Sequence, residues 1–109
     1  MPDLDALTAR IRAFSDARDW HQFHTPKNLA MAIAGEAGEL AAELQWIDGE
    51  ASRTAVIEDA ALRERVSQEM ADVLIYLVRL ADVARIDLLE AANAKTDVNE
   101  TRFPPGSAI

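Results

Sequence analysis

The sequence contains no cysteine, which excludes disulfide bonds and thiolate metal sites. It has no apolar run approaching the roughly 18 residues of a membrane span, so we expect no membrane partner. Neither of the two common Gly-rich phosphate loops, GxGxxG and GxxxxGK followed by Ser or Thr, is present. A phosphate ligand would therefore have to be held by other groups.

Residues 1–10, MPDLDALTAR, lack a basic region followed by an apolar one, so we expect no secretory signal and a cytoplasmic location.

The charge balance is acidic, with a formal net charge of −8. Because an acidic surface repels phosphate backbones, we expect no DNA or RNA polymer as a partner. A small phosphate ligand is still compatible with this charge, since a bound metal cation reverses the local sign.

The length of 109 residues is typical of a single domain, residues 1–109, which would gain burial by associating with further copies.

The spacing of apolar residues predicts helices nearly throughout and no strand. Asp3 is the expected N-cap of a first helix, which ends near Trp20. The pair Thr25-Pro26 is expected to open a second helix, because threonine caps well and proline is tolerated at the first helical position. Asp48-Gly49 is expected to end it.

The second half of the chain continues the helical pattern. Residues 49–57 are predicted to form a loop or a short turn, and a third helix should run from about Glu58 to about Ala84. Asp87 and Glu90 resemble a capping box that opens a fourth helix over residues 88–99. Residues 103–109, FPPGSAI, are expected to be a tail. The predicted fold is an all-α bundle with two long central helices.

Two glutamates interrupt the apolar stripe of the second helix in the stretch GEAGEL, residues 35–40. Glu36 occupies a stripe position, and Glu39 lies almost one turn further on. On the third helix, Glu69 also occupies a stripe position, and Asp72 follows three residues later. Each central helix therefore carries an acid pair at or beside the seam between the helices.

Buried carboxylates are costly without compensation, so these acids need partners. No basic residue lies three or four positions from Glu36, Glu39 or Asp72, and Glu69 has Arg65 alone, in the less favourable orientation. A divalent cation would relieve the repulsion, and an all-oxygen ligand set favours Mg²⁺, Mn²⁺ or Ca²⁺ over zinc or copper. The alternative is that these acids are solvated surface charges.

A di-iron bundle is a natural rival, but such bundles use Glu-x-x-His pairs. Both histidines, His21 and His24, instead lie in the predicted loop WHQFHTP. Glu43 extends the face of the second-helix acids by another turn, and we expect it to be an ordinary surface acid.

Aromatic side chains lie on the same helix faces as the acids. Trp46 follows Glu39 by seven residues, and Tyr76 follows Asp72 by four. A metal beside stacking groups suggests a ligand with phosphates at one end and a flat base at the other. Core packing is the alternative interpretation for each ring.

Four segments, taken in order, resemble the MazG-like all-α nucleoside triphosphate pyrophosphohydrolases, and within that superfamily the dCTP pyrophosphatases. The segments are RDWHQFHTPKNL (18–29), GEAGELAAELQW (35–46), EMADVLIYLVRLA (69–81) and KTDVNETRFP (95–104). The ordered set spans most of the chain and is far more specific than an acid pair alone.

The resemblance implies hydrolysis of a nucleoside triphosphate between the α- and β-phosphates, with dCTP or a modified dCTP as the expected substrate and Mg²⁺ or Mn²⁺ as the cofactor. It also implies a homo-oligomer, with a tetramer favoured, whose site is completed across subunits. The family's motifs place the magnesium ligands at Glu36, Glu39, Glu69 and Asp72. The chemistry of water activation by a carboxylate makes Glu36 or Glu39 the expected catalytic base. They place the substrate-binding residues at Trp20, His21, Gln22, Phe23, His24, Trp46, Tyr76, Lys95, Asn99 and Arg102.

One position departs from the family's pattern. The vertebrate dCTP enzymes carry a substrate-contacting histidine on the first helix, and the aligned residue in this chain is Ile11. This difference concerns the choice of base rather than the metal chemistry. It leaves open the same reaction on another base, such as dUTP or a damaged nucleotide. A separate alternative, which does not depend on Ile11, is a helical nucleotide-binding or regulatory module without turnover.

Overall fold

The computed structural model of the chain describes residues 3–107. Within this range the chain is all-helical and has no strand, as predicted. The helices are α1 (Leu4–Ala17), α2 (Pro26–Leu44), α3 (Gly49–Glu58), α4 (Ala60–Ala84) and α5 (Leu88–Arg102), and a short 3-10 turn (His21–Phe23) joins α1 to α2.

The first two helices begin where their capping residues predicted. The Asp3 carboxylate accepts a hydrogen bond from the backbone N–H of Ala6 at 2.8 Å. The Thr25 hydroxyl accepts one from the backbone N–H of Asn28 at 3.2 Å, and Pro26 is the first residue of α2. These side chains satisfy backbone donors that have no partner inside the helix.

The prediction of a loop over residues 49–57 was wrong, because this segment forms α3. Asp48-Gly49 was interpreted as the end of the preceding helix, whereas Asp48 caps the next one by accepting from the backbone N–H of Glu50 at 3.4 Å. The hydroxyl of Ser52 then donates to the carbonyl oxygen of Gly49 at 2.6 Å. Ala55 and Val56 are half-buried on α3, which packs against α4.

Two further boundaries differ from the prediction by a few residues. The third predicted helix, α4, begins at Ala60, because Asp59 is extended and caps it by accepting from the backbone N–H of Leu62 at 3.1 Å. Glu58 is instead the last residue of α3. The capping aspartate of α5 was predicted correctly: Asp87 accepts from the backbone N–H of Glu90 at 3.0 Å, and the helix continues to Arg102.

Packing is most extensive between α2 and α4, the two long central helices, while α1 and α3 also rest on α4. Leu29 of α2 and Val78 of α4 are almost completely buried, and Ile11 of α1 and Leu62 of α4 are also buried. Burial of side chains of this size stabilises a core by about 1.5–3 kcal/mol each. The α2–α4 seam is therefore the most extensive packing interface among the described helices, and it carries the acidic residues.

The last helix packs differently, since no residue of α5 is buried. Leu89 and Val98 expose more than half of their side-chain surface, and Ile86, just before α5, does the same. Among the described residues, no helix has the length and apolar character needed to cross a membrane.

Candidate functional site

The acidic cluster lies at the α2–α4 seam and consists of Glu36, Glu69 and Asp72. One carboxylate oxygen from each of these residues lies within 4.8 Å of the others. Glu36 and Glu69 are half-buried, as expected for stripe positions, and Asp72 is exposed. Glu39, the fourth predicted ligand, is exposed and lies outside the cluster in this structure.

The nearest candidate cation is paired elsewhere. Arg65, the one basic residue placed by sequence spacing near Glu69, instead donates from Nε to Oε2 of Glu43 at 2.8 Å. Within residues 3–107, no ion pair involves Glu69 or any other predicted metal ligand. Glu43, expected to be a surface acid, thus joins α2 to α4, and Arg65 does not neutralise the cluster.

The electrostatics of Glu69 follow from this lack of compensation. Its Oε2 atom is out of contact with solvent and has no hydrogen-bond partner. Burial raises the pKa of Glu69, and its interaction with Glu36 and the charges of Asp72 and Glu39 raise this pKa further. An unsatisfied buried oxygen beside further carboxylates fits a hard divalent cation, which prefers oxygen ligands. The other three predicted ligands, Glu36, Asp72 and Glu39, therefore lie near enough to Glu69 to shift its pKa.

A cavity of about 630 Å³ adjoins the cluster. Glu36 and Asp72 form part of its wall, together with three of the predicted substrate-binding residues, Trp20, His24 and Tyr76. Ile11 also lines this cavity, so the position that departs from the family's pattern faces the candidate ligand space.

An aromatic wall forms one side of the cavity. The rings of Phe14 and Trp20 meet edge to face with centroids 5.6 Å apart, and Trp20 meets His24 in the same way at 5.9 Å. Edge-to-face contacts of this kind hold aromatic rings in defined orientations. The cavity therefore has carboxylates at one part of its wall and flat rings at another, which suits a ligand that is charged at one end and planar at the other.

Arg79 is a site residue that sequence reasoning missed. It is 3% exposed, lines the cavity from α4, and donates from Nε to Nδ1 of His24 at 3.0 Å. Its spacing from Asp72 and Tyr76, seven and three residues, was a signal, because these positions share one helix face. A charged residue within the apolar run LVRLA should have prompted a search for buried partners.

The remaining loop residues lie next to the cavity without lining it. His21 has Nδ1 at 3.5 Å from Nη2 of Arg79. The side-chain amide of Gln22 donates to the carbonyl oxygen of Asp19 at 3.0 Å, which holds the turn together. Phe23 is exposed, and its carbonyl oxygen accepts from the side-chain amide of Asn28 at 2.9 Å.

Other predicted substrate-binding residues are not brought to the cavity within one chain. Trp46 follows α2 and is 89% exposed. Lys95, Asn99 and Arg102 lie on α5; none of them lines the cavity, and Asn99 alone of the three is half-buried. Arg102 lies over the ring of Phe103, with 5.0 Å from its guanidinium carbon to the ring centroid.

Comparison with known proteins identifies the class of domain to which this helical fold and its acidic cluster belong. Residues 24–106 match the family described as the MazG nucleotide pyrophosphohydrolase domain, so the chain belongs to this family. The expected fold and the stated resemblance are thereby confirmed.

The chain is also similar to individual named proteins. The chain is 45% identical to dCTP pyrophosphatase 1 from Homo sapiens and 42% identical to the protein of the same name from Bos taurus, over 94% of this chain in each case. It spans 60% of the length of these relatives. The crystal structure of a pyrophosphatase from Archaeoglobus fulgidus is similar with a TM-score of 0.85 and 39% identity, covering 95% of this chain and 94% of that one.

Proposed function

We propose that this protein hydrolyses a nucleoside triphosphate between its α- and β-phosphates, releasing a nucleoside monophosphate and pyrophosphate. The observation that carries the proposal is the unbalanced acidic cluster beside a cavity with an aromatic wall. Similarity to proteins named dCTP pyrophosphatase 1 supports the same reaction. A module that only binds partner helices has no need of an unsatisfied carboxylate at its central seam.

The cofactor of the proposed reaction is Mg²⁺, with Mn²⁺ as the alternative. Glu36, Glu69 and Asp72 would hold the cation, with Glu39 completing the set one turn further along α2. When bound, the cation neutralises negative charge on the phosphate oxygens as it develops in the transition state. The all-oxygen donors suit these hard cations better than zinc or copper.

The protein's own groups would activate water and hold the substrate. Glu36 and Glu39 are the two candidates for the general base that takes a proton from the attacking water. Tyr76 and Trp20 line the cavity where the nucleoside would lie, with the aromatic wall against its base. This arrangement keeps the phosphates beside the carboxylates and the base away from them.

The proposed substrate is dCTP or a modified dCTP, which is the substrate class in the relatives' names. The alternative is another base, such as uracil in dUTP or a damaged base, because Ile11 places an apolar side chain in the cavity wall. Removing unwanted nucleotides from the cytoplasmic pool would be the role of either reaction. The net charge of −8 argues against a nucleic acid polymer as substrate.

The proposed assembly is a homo-oligomer, with a tetramer favoured. Its support is that α5 packs little against the rest of its own chain and that Leu89, Val98 and Trp46 are exposed. Exposed apolar surface on a short chain is reduced when copies associate. The polar residues of α5 lie outside the cavity of their own chain, and in this assembly they would contact the phosphates of a nucleotide bound to a neighbouring copy; these residues are Lys95, Asn99 and Arg102. Light scattering coupled to size exclusion would give the mass directly, and a monomer at working concentration would contradict this assembly.

The reaction can be tested by identifying its products with ³¹P NMR after incubation of the protein with dCTP and Mg²⁺. Pyrophosphate and dCMP in equal amounts are expected. Orthophosphate with dCDP would contradict cleavage between the α- and β-phosphates. The Glu69→Gln variant, purified in the same way, controls for contaminating phosphatases and should release neither product.

A further inference from the structure

Arg79 is a buried cation whose partners connect α4 to the segment between α1 and α2. From α4, its Nε donates to Nδ1 of His24 at 3.0 Å, and its Nη1 donates to Oδ2 of Asp82 at 3.3 Å. Its Nη2 lies 3.5 Å from Nδ1 of His21. A guanidinium is retained in such a buried place only when its charge and its N–H groups are satisfied. Its side chain is therefore held in one orientation by several contacts.

The carboxylate that neutralises Arg79 is itself fixed by a second arginine. Arg12 of α1 donates from Nε to Oδ2 of Asp82 at 2.9 Å and from Nη2 to Oδ1 at 2.6 Å. This two-point contact sets the plane of the carboxylate and holds the pKa of Asp82 below its usual range. The position of Arg79 is thus determined by α1 and α4, the helices that carry Ile11 and Tyr76 into the cavity wall.

The contact with Arg79 determines which nitrogen of His24 carries the proton. A guanidinium has donors and no acceptor, and it keeps its charge at every accessible pH. Nδ1 of His24 must therefore accept the hydrogen bond, which leaves the proton of a neutral imidazole on Nε2. Burial, followed by the charges of Arg79 and His21, lowers the pKa of His24, so the ring is neutral near pH 7.

The resulting Nε2–H donor belongs to a residue of the cavity wall. His24 lines the cavity and meets Trp20 edge to face, at the aromatic part of the wall. Nε2 makes no hydrogen bond to any residue between 3 and 107. A fixed donor beside rings that would stack on a base is suited to an acceptor atom on the edge of that base.

We propose that Arg79 is a positioning residue, which holds His24 as a neutral Nε2–H donor for an acceptor atom of the nucleobase. The use of this donor on a base rests on the proposed function. Arg79 itself acts through His24 rather than by touching the reacting phosphates. A role confined to stabilising the fold would not require a particular tautomer of His24.

The state of His24 can be measured directly by long-range ¹H–¹⁵N NMR of its imidazole at neutral pH, on the wild-type protein without nucleotide. The Nε2–H tautomer is expected in the wild type, and a mixture of tautomers in Arg79→Met. An Nδ1–H tautomer or an imidazolium in the wild type would overturn the proposal, whatever the variants do and whether or not the protein turns over nucleotide.

The functional link is tested by kinetics of Arg79→Met, His24→Ala and the double variant. Each single change should raise KM for the best substrate by about tenfold, with a smaller effect on kcat, because a hydrogen bond to the base is lost or misplaced. The double variant should be no worse than His24→Ala, since both changes remove one interaction. Arg79→Lys keeps a positively charged donor at this position, so its KM should lie between those of the wild type and Arg79→Met.

Arg63→Met is the matched control, an exposed arginine on the same helix, and it should leave KM unchanged. If Arg79→Met lowers kcat/KM as much in the His24→Ala background as in the wild type, Arg79 acts independently of His24 and the proposal is wrong. If the wild-type protein turns over no nucleotide, the proposed function fails instead, while the NMR result still decides the tautomer.

Discussion

Nε of Arg65 donates a 2.8 Å hydrogen bond to Oε2 of Glu43, and this contact joins α4 to α2 one turn away from the acidic cluster. Because Arg65 is paired there, it is not available to Glu69 on its own helix. The carboxylates of Glu36, Glu69 and Asp72 therefore face one another without a cation from the described part of the chain. These carboxylates repel one another at the α2–α4 seam, where packing is most extensive. This arrangement is expected of a binding site for a divalent ion.

Replacing Glu69 by glutamine should stabilise the metal-free protein. The change removes one of the mutually repelling charges from the seam and keeps the side chain's size. In EDTA, the melting temperature of Glu69→Gln should exceed that of the wild type. Added Mg²⁺ should raise the melting temperature of the wild type and leave that of the variant nearly unchanged, because a ligand stabilises only the state that binds it.

Glu64→Gln is the matched control for this experiment, since Glu64 is exposed on the same helix and hydrogen-bonds Gln68 rather than the cluster. It should show the wild-type response to Mg²⁺. If the melting temperature of Glu69→Gln in EDTA is lower than that of the wild type in EDTA, the carboxylate of Glu69 stabilises the metal-free fold. This result would contradict the claim that the seam needs a cation to offset its charge.

The same residue should make metal-free stability depend on pH. Because the pKa of Glu69 is raised in the folded protein, its contribution to stability is fully present below the ordinary value of 4.5 and is lost as pH rises through the raised pKa. The difference in melting temperature between Glu69→Gln and the wild type should thus grow as pH increases from about 4.5. Taking this difference cancels the opposite trends expected from Asp82 and His24, whose pKa values are lowered. A difference that is constant across this range would show that Glu69 titrates as in the unfolded chain.

Glu39→Gln and Asp72→Asn should lose most of the activity while staying folded. Each change removes a predicted cation ligand, and loss of one such group commonly lowers turnover by about 100-fold or more. Pyrophosphate release and a thermal melt, measured on the same samples, separate loss of chemistry from loss of structure. Wild-type activity in either variant would remove that residue from the proposed site; for Glu39 this would agree with its position outside the cluster.

Trp46→Ala should weaken nucleotide binding more than metal binding. A stacked aromatic ring contributes about 1–3 kcal/mol per base, so the nucleotide Kd should rise by roughly tenfold or more. Calorimetric titration with a non-hydrolysable nucleotide, and separately with Mn²⁺, measures the two affinities. Ile57→Ala, another exposed apolar residue after α2, is the control and should change neither. Equal losses for nucleotide and metal would assign Trp46 a structural role.

Much of this fold could be predicted from the sequence, because its signals are local. Apolar spacing and capping side chains such as Asp3 and Thr25 act within a few residues, and both helices that they open begin as predicted. The acids of the seam could be recognised for the same reason, since Glu36 and Glu69 interrupt apolar stripes. The error at α3 is local too: Gly49 favours a helix end, but Asp48 beside it caps a new helix.

The hydrogen-bond partners of Arg79 could not be predicted from the sequence, because they are not local. Arg79 and His24 are 55 residues apart in the chain, and Arg12 and Asp82 are 70 apart. Nothing in the local pattern says which distant groups will meet, because that depends on how α1 and the 3-10 turn pack against α4. In the proposed assembly, the positions of Trp46 and of the polar residues on α5 also depend on contacts beyond a single chain.

The central claim is a metal-dependent reaction on a nucleoside triphosphate, and the most direct measurement is pyrophosphate release from a panel of nucleotides with and without Mg²⁺. The panel should include the four dNTPs, dUTP and modified forms of dCTP. We predict turnover that requires the metal and is strongest on cytosine nucleotides. A maximum on another base would keep the chemistry and point to Ile11 in the cavity wall as a source of the different preference. No turnover on any nucleotide, in a protein whose melting temperature still rises with Mg²⁺, would contradict enzymatic function and leave a metal-binding module.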